Sequence, residues 1–355
     1  MQRFSELLYQ GLKCAGHDVR LVRPPVWLGR IWSDEEGFSK WIGYIDRFLL
    51  YPALLRKQAR WADLVHICDQ ANAVYLPYLG RRPHVITCHD LLAIRAAIGD
   101  ISGSPTGFTG RVYQRWVLRN LSRAHVIVCV SQQTKEELVR VAAVYDKNVA
   151  VVSNGLNYPY RPMKRQQVKA HLDYLNLKES QPFFIHVGGN QWYKNRIGAL
   201  RIFRYLLRKS DYRDYHLIMV GKHWTKEMHQ LIQELKLDAR VHECVDISND
   251  SLCALYTAAQ ALLFPSLQEG FGWPIVEAQA CGCPVITTDL PPMNVTSGDA
   301  GIYIDPTNPE EAAKIIVKGL GRRDQIVAKG LSQSAQYSSD TMISGYLRIY
   351  ETLSQ

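Results

Sequence analysis

Short apolar runs of four or five residues recur along this chain, and most are followed by a stretch whose apolar positions repeat every three to four residues. The runs fall at 64–68, 84–88, 126–130 and 149–152, then at 183–187, 216–220, 241–244, 261–264, 285–288 and 301–304. Runs of that length read as strands, and the periodic stretches between them as helices, notably 111–122 and 132–143. Strands alternating with helices dictate parallel sheets, because a parallel neighbour is reached only through a crossover connection. The expected fold class is therefore α/β, built of parallel β/α units.

The series breaks once. Asn154-Gly155 closes the run at 149–152, and 156–165, with Pro159 and Pro162, reads as a linker. A chain of 355 residues is long enough for two cores. The expected domains are 1–160 and 161–339. No apolar run approaches the roughly 18 residues a membrane span requires. The eight cysteines are scattered, without a C-x-x-C pair, and read as buried small apolar side chains in a reducing compartment, so the expected location is cytoplasmic.

Chemistry concentrates in 261–285, ALLFPSLQEGFGWPIVEAQACGCPV. An apolar run stops at Pro265, a polar loop runs to Gly272, Pro274 opens a helix, Gly282 closes it, and a strand follows. Trp273 is expected near the N-cap. The backbone N–H groups of Phe271, Gly272 and Trp273 then sit at a helix N-terminus, which carries about half a positive charge and seats phosphate. Glu269 in the loop and Glu277, expected in about the first turn, flank that seat, and carboxylates accept paired sugar hydroxyls. On these residues alone a plainer alternative stays open: Glu277 complements the helix dipole and Glu269 is solvated.

The stretch EGFGWPIVEAQACGCPVI resembles the E-x7-E signature of the retaining family 4, or group 1, glycosyltransferases; both glutamates, the Phe-Gly pair, the proline and the A-x3-G-x-P-V tail stand in register. The resemblance implies the GT-B fold, two facing Rossmann-like domains with an interdomain cleft, and a terminal helix at 340–355 that packs back on the first domain. It implies that Glu269 contacts the donor sugar and that Glu277 binds the ribose. The backbone around Phe271, Gly272 and Trp273 would hold donor phosphate and sugar oxygens.

Gly188-Gly189-Asn190 followed by Lys194-Asn195 resembles the same family's Gly-rich turn and basic phosphate contact. Glycines let backbone approach oxygen, and an ammonium neutralises a departing diphosphate. Where relatives carry arginine beside that lysine or after the glycine, this chain has Tyr193 and Asn190. Lys194 is therefore expected to act with Asn190 or Arg196, the alternative being an exposed loop lysine. Thr87-Cys88-His89-Asp90 resembles the family's HD element, which implies that His89 donates a hydrogen bond to the donor hexose or phosphate across the cleft; Asp90 orients His89 or caps the next helix. Gly221 and Cys244 resemble positions whose backbone lines the nucleotide pocket, and Ser131 matches the family's Val-Ser pair at a strand end. Gly-Gly-Asn-Gln does not fit G-x-G-x-x-G and no D-x-D triplet occurs, so neither a dinucleotide cofactor nor a divalent metal is expected.

Net charge is +9, and it is uneven: residues 1–160 hold 20 basic and 13 acidic side chains, residues 161–355 hold 22 and 20. A basic, aromatic helix at 38–60, bent near Pro52 and carrying Trp41, Tyr44, Phe48 and Tyr51, is either a peripheral contact with anionic lipid at the inner membrane face or a solvated surface. No recognised nucleic-acid motif accompanies the charge, so nucleic acid is not an expected partner.

The reading that results is a retaining glycosyltransferase that moves a hexose from a nucleotide diphosphate sugar to a glycan or lipid-linked glycan acceptor without a metal. Two alternatives stay open: a catalytically weak nucleotide-sugar-binding module, and a GT-B nucleotide-sugar epimerase. The chain opens on a helix at 2–15 and a strand at 17–22, where relatives have already completed a first strand and a Gly-rich loop. In a sheet of order 3-2-1-4 that first strand is internal, so a gap is expected between 17–22 and 84–88. Roughly 10–20 further N-terminal residues, or a rearranged or partner strand, are expected to fill it.

Overall fold

The computed structural model describes residues 2–24, 46–101, 106–142 and 144–354. The chain divides into two compact units, Met1–Ser153 with Ser339–Gln355, and Asn154–Ser338. Each is a parallel-sheet α/β unit.

The first unit holds four parallel strands in the order β1 (Val65–Ile67), β2 (His84–Cys88), β3 (Val126–Cys129) and β4 (Val149–Val151). All five residues of β2 are buried, as expected for a strand covered on both faces. Around the sheet lie α1 (Gln2–Cys14), α2 (Tyr51–Trp61), α3 (Leu92–Ile98), α4 (Phe108–Leu121) and α5 (Gln132–Ala142). The terminal helix, Ser339–Ser354, belongs to this unit and packs against α1. Phe4 of α1 is fully buried, edge-on to Tyr346 of the terminal helix at 5.9 Å. Tyr346 is itself fully buried, and its hydroxyl meets Thr87 Oγ1 at 3.0 Å.

Two expectations for this unit need correction. Residues 17–24 form no strand. A strand exists only through a paired neighbour, and the edge facing this segment is that of β1, across a cavity of about 720 Å³ lined by Leu8, Leu12, Val19, Tyr51, Leu55 and Ile67. Among the described residues the open edge is therefore beside Val65–Ile67 and not between 17–22 and 84–88, since β2 is paired on both sides by β1 and β3. The helix expected at 38–60 is a π-type turn, Asp46–Leu50, running into α2, with Pro52 in the first turn of α2, where its missing N–H costs nothing. Residues 38–45, with Trp41 and Tyr44, lie outside the described residues. Tyr51 is buried and not a surface aromatic; burial pushes its hydroxyl up to about 12.

The second unit holds six parallel strands, β5 (Phe183–Gly188), β6 (His216–Gly221), β7 (Val241–Val245), β8 (Leu262–Phe264), β9 (Val285–Thr288) and β10 (Gly301–Ile304). Their spatial order is β10-β9-β8-β5-β6-β7. The chain builds outward from β5 through β6 to β7, then returns to the other side of β5 and builds outward again. The direction reverses between β5 and β8, and in doubly wound sheets the loops leaving the carboxyl ends of such a pair bound a ligand crevice. Residues 156–165 belong to this unit, where Leu156 N donates to Tyr337 O at 2.9 Å.

Candidate active site

The loops that leave β5 and β8 are tied together by main chain before any functional side chain is considered. Leu267 N donates to Tyr193 O at 2.8 Å, and Asn195 Nδ2 donates to Pro265 O at 3.0 Å. Asn195 is left-handed (φ 50°), a conformation asparagine tolerates better than most side chains, and its Oδ1 caps the Arg196–Leu206 helix by accepting from Gly198 N at 3.1 Å. Held this way, Lys194 Nζ donates to both carboxylate oxygens of Glu269, at 2.7 and 2.9 Å. The two side chains are only 16% and 8% exposed, and the ammonium lies 5.4 Å from the Phe264 ring centroid. Lys194 is thus not an exposed loop lysine, nor is Glu269 a solvated carboxylate.

Glycine is required where the carboxyl ends of β5 and β6 meet. Gly221 has φ +147°, and a Cβ there would lie 2.1 Å from Gly188 O, so only a bare backbone lets the ends of the two strands converge. Beyond them, Asn190 Nδ2 donates to His223 O at 2.8 Å, while Asn190 Oδ1 accepts from the Arg196 guanidinium. Arg196 also donates to Lys222 O at 2.8 Å, and its Nε and Nη2 find no acceptor among the described residues. Burial lowers its pKa. Behind the turn, His186 Nδ1 donates to Leu263 O at 2.9 Å, and burial pushes its pKa down to about 3, so it is a neutral imidazole.

The Trp273–Ala280 helix begins at Gly272, which is the N-cap with φ +89°. Trp273 is therefore the first helical residue and not the cap. Glu277 falls in the second turn instead of the first, which weakens the helix-dipole reading because that interaction fades within the first turn. It is 4% exposed, and its Oε2 accepts from the fully buried Tyr256 hydroxyl at 3.1 Å. Phe271 is buried, its carbonyl accepting from Thr296 Oγ1 at 2.9 Å, and Trp273 Nε1 donates to Gly155 O at 3.1 Å. Cys244 lies near the end of β7, with its thiol pushed up to about 11 by burial.

His89 belongs to the first unit, following β2. It is 6% exposed, edge-on to Phe4 at 4.7 Å, with Nε2 3.0 Å from Cys68 O. A carbonyl only accepts, so Nε2 carries the proton. Burial holds the pKa at about 4, which leaves Nδ1 as an acceptor. In that tautomer Nδ1 accepts a hydrogen bond, where the resemblance implies a donor. Asp90 Oδ1 accepts from Leu92 N at 3.0 Å, which supports the capping alternative, and Ser131 Oγ accepts from Thr134 N at 3.1 Å as the cap of α5.

The structure thus brings together Lys194 with Glu269, Asn190 with Arg196, and Glu277 with a residue the sequence did not single out, Tyr256. Nothing in the spacing of Tyr256 and Glu277 links them, since the contact joins two helices separated by a strand. Asn195 was legible only as a neighbour of Lys194; its left-handed turn is what aims the lysine. Among the described residues no group of three or more His, Cys, Asp or Glu is placed to hold a metal ion, and no helix is long and apolar enough to cross a membrane.

Known proteins match over the same two units. The family described as Glycosyltransferase Family 4 matches residues 1–158, and the family described as Glycosyl transferases group 1 matches residues 169–326. The O-antigen chain mannosyltransferase RfbU of Salmonella typhimurium is 26% identical over 296 residues, covering 82% of this chain and 75% of its own. The Escherichia coli O-antigen chain mannosyltransferase B is 26% identical, with coverage of 85% and 82%. Among solved structures, Anabaena HepE in complex with UDP and glucose superposes with a TM-score of 0.71 at 20% identity, over 88% of this chain and 83% of that one. WaaG, a glycosyltransferase of lipopolysaccharide biosynthesis, gives 0.69 at 18% over 99% and 95%. With two parallel-sheet units and a charged pair at the switch point of the second, the chain belongs to the family 4, group 1 glycosyltransferases of the GT-B fold and is a hexosyltransferase that uses nucleotide sugars.

Proposed function

We propose that this enzyme transfers a hexose with retention of anomeric configuration, without a metal ion, from a nucleoside diphosphate sugar to a glycan or lipid-linked glycan acceptor. The observation that carries the reading is the Lys194–Glu269 pair on the two loops that flank the β5/β8 switch point. When the sugar–phosphate bond breaks, negative charge develops on the departing diphosphate. The Lys194 ammonium, with two N–H bonds on Glu269, has a third to offer that charge, and the Gly272-capped helix adds its own positive end. These two sources do the work a divalent cation does elsewhere.

Glu269 orients the sugar hydroxyls. A carboxylate engaged by an ammonium is a poor nucleophile, which favours front-side attack by the acceptor hydroxyl over a covalent glycosyl-enzyme. Glu277, positioned by Tyr256, takes the ribose hydroxyls, and His89 offers a sugar hydroxyl an acceptor through Nδ1. A lipid-linked acceptor brings the enzyme to the cytoplasmic membrane face. The comparisons with O-antigen mannosyltransferases and with a UDP- and glucose-bound structure support a panel of GDP-, UDP- and ADP-hexoses as donors for the test. Nucleotide release and product anomeric configuration are measured by NMR with chelator present. Binding without release identifies a binding module, donor interconversion without acceptor identifies an epimerase, and dependence on added magnesium or manganese overturns the metal-free mechanism.

A further inference from the structure

The first unit carries a surface built from none of the residues placed at the candidate active site. On α4, Phe108, Val112 and Trp116 are 81%, 52% and 38% exposed. They recur at i, i+4 and i+8, and with about 100° of rotation per residue they fall within roughly 80° of one another, a continuous stripe and not scattered exposed side chains. Arg111, Arg115 and Arg119 are also exposed and form a second stripe roughly 80° wide that overlaps the first. None of the three is ion-paired among the described residues. The opposite side of the helix, Val117, Asn120 and Leu121, is buried in the unit.

The apolar stripe continues onto the neighbouring turn, where the Phe48 ring lies 5.6 Å from that of Trp116 and Leu49 is 69% exposed. Segments 46–61 and 106–123 contain eight Lys and Arg against one acidic residue, Asp46. Aromatic and aliphatic side chains projecting beside arginines, with a single acidic residue in these segments, match a surface that is anionic outside and apolar a few ångströms deeper.

We propose that α4, together with the Asp46–Leu50 turn, lies in the interface of an anionic lipid bilayer. Phe108, Val112, Trp116 and Leu49 enter the boundary between headgroups and acyl chains, and Arg111, Arg115 and Arg119 bind lipid phosphates. This deepens the reading of a lipid-linked acceptor by naming the face that meets the membrane, and it is tested without any sugar.

The full chain is floated with vesicles of phosphatidylcholine alone and of phosphatidylcholine with phosphatidylglycerol. Binding is expected only with the anionic vesicles and is lost at high salt. Arg111→Glu/Arg115→Glu/Arg119→Glu is expected to weaken partitioning roughly a hundredfold, and Phe108→Ser/Val112→Ser roughly tenfold. Both variants alter exposed side chains, so an unchanged melting temperature and unchanged transfer to a water-soluble acceptor show that the fold and chemistry are intact. Equal binding to neutral and anionic vesicles, no binding to either, or variants that float like the parent overturn the proposal. So does equally tight binding to duplex DNA at the same salt, which would mark a general polyanion surface. Failed flotation leaves the transferase reading intact, whereas failed sugar transfer with flotation retained rejects that reading alone.

Discussion

At the scale of single residues, the Lys194–Glu269 pair poses the sharpest question, because each side chain is held by the other before substrate arrives. Glu269→Gln keeps the shape and an acceptor oxygen but removes the charge. Turnover is expected to fall at least ~100-fold, equivalent to about 2.7 kcal/mol or more of lost transition-state stabilisation, with nucleotide affinity changed by less than about threefold. Donor turnover and calorimetry on the same preparation decide it, and near-normal turnover sinks the assignment of Glu269. For Tyr256→Phe the expected result is different. It deletes one hydrogen bond to Glu277, of the order of 1 kcal/mol, so nucleoside diphosphate affinity should drop roughly fivefold with turnover at saturation nearly unchanged. Unchanged affinity would mean that Glu277 does not hold the ribose.

At the scale of elements, the ten strands among the described residues stand within a residue or so of where the apolar runs put them, because the inner strands of each sheet, buried on both faces, are almost uniformly apolar. What the pattern did not carry was pairing. Residues 17–22 have the composition of a strand but no paired neighbour among the described residues, and the pairing of β2 with β1 rests on register between backbones, which leaves no mark in composition. The site was legible to the same extent. The Gly-rich turn and the two glutamates stand out as motifs, while the meeting of Lys194 with Glu269, 75 positions apart, depends on hydrogen bonds between two loops. Gly221→Ala tests how strictly the ends of β5 and β6 are matched. With Gly188 O only 2.1 Å from the added methyl carbon, the strands must separate, at a cost of more than about 2 kcal/mol, seen as a lowered denaturation midpoint. A variant as stable as the parent would show that the strand ends yield freely.

At the scale of the whole molecule, acid should weaken both units, the second through His186 and the first through two buried imidazoles. His66 and His89 are buried there with pKa values pushed down to about 3 and about 4, chiefly by burial. An unfolded chain protonates both near pH 6.5, so between that value and pH 4 the unfolded state binds more protons and stability falls as pH falls. Denaturant unfolding at pH 7.5 and pH 5, followed by a probe in residues 2–153, is expected to show a loss of roughly 2 kcal/mol or more, and His89→Gln should flatten the dependence. A flat profile in the parent would contradict the neutral, buried state of these imidazoles. The same unit is discontinuous in sequence: Thr87 and His66 have their hydroxyl partners on Tyr346 and Tyr350 of the terminal helix. A ribosome therefore delivers the first sheet long before the helix that covers it, with the contiguous 154–338 unit between them. At about 5–20 residues per second that interval lasts roughly 10–40 s. During it the nascent first unit waits with an apolar face uncovered while the second can finish folding, so the half of the enzyme made first is the half completed last.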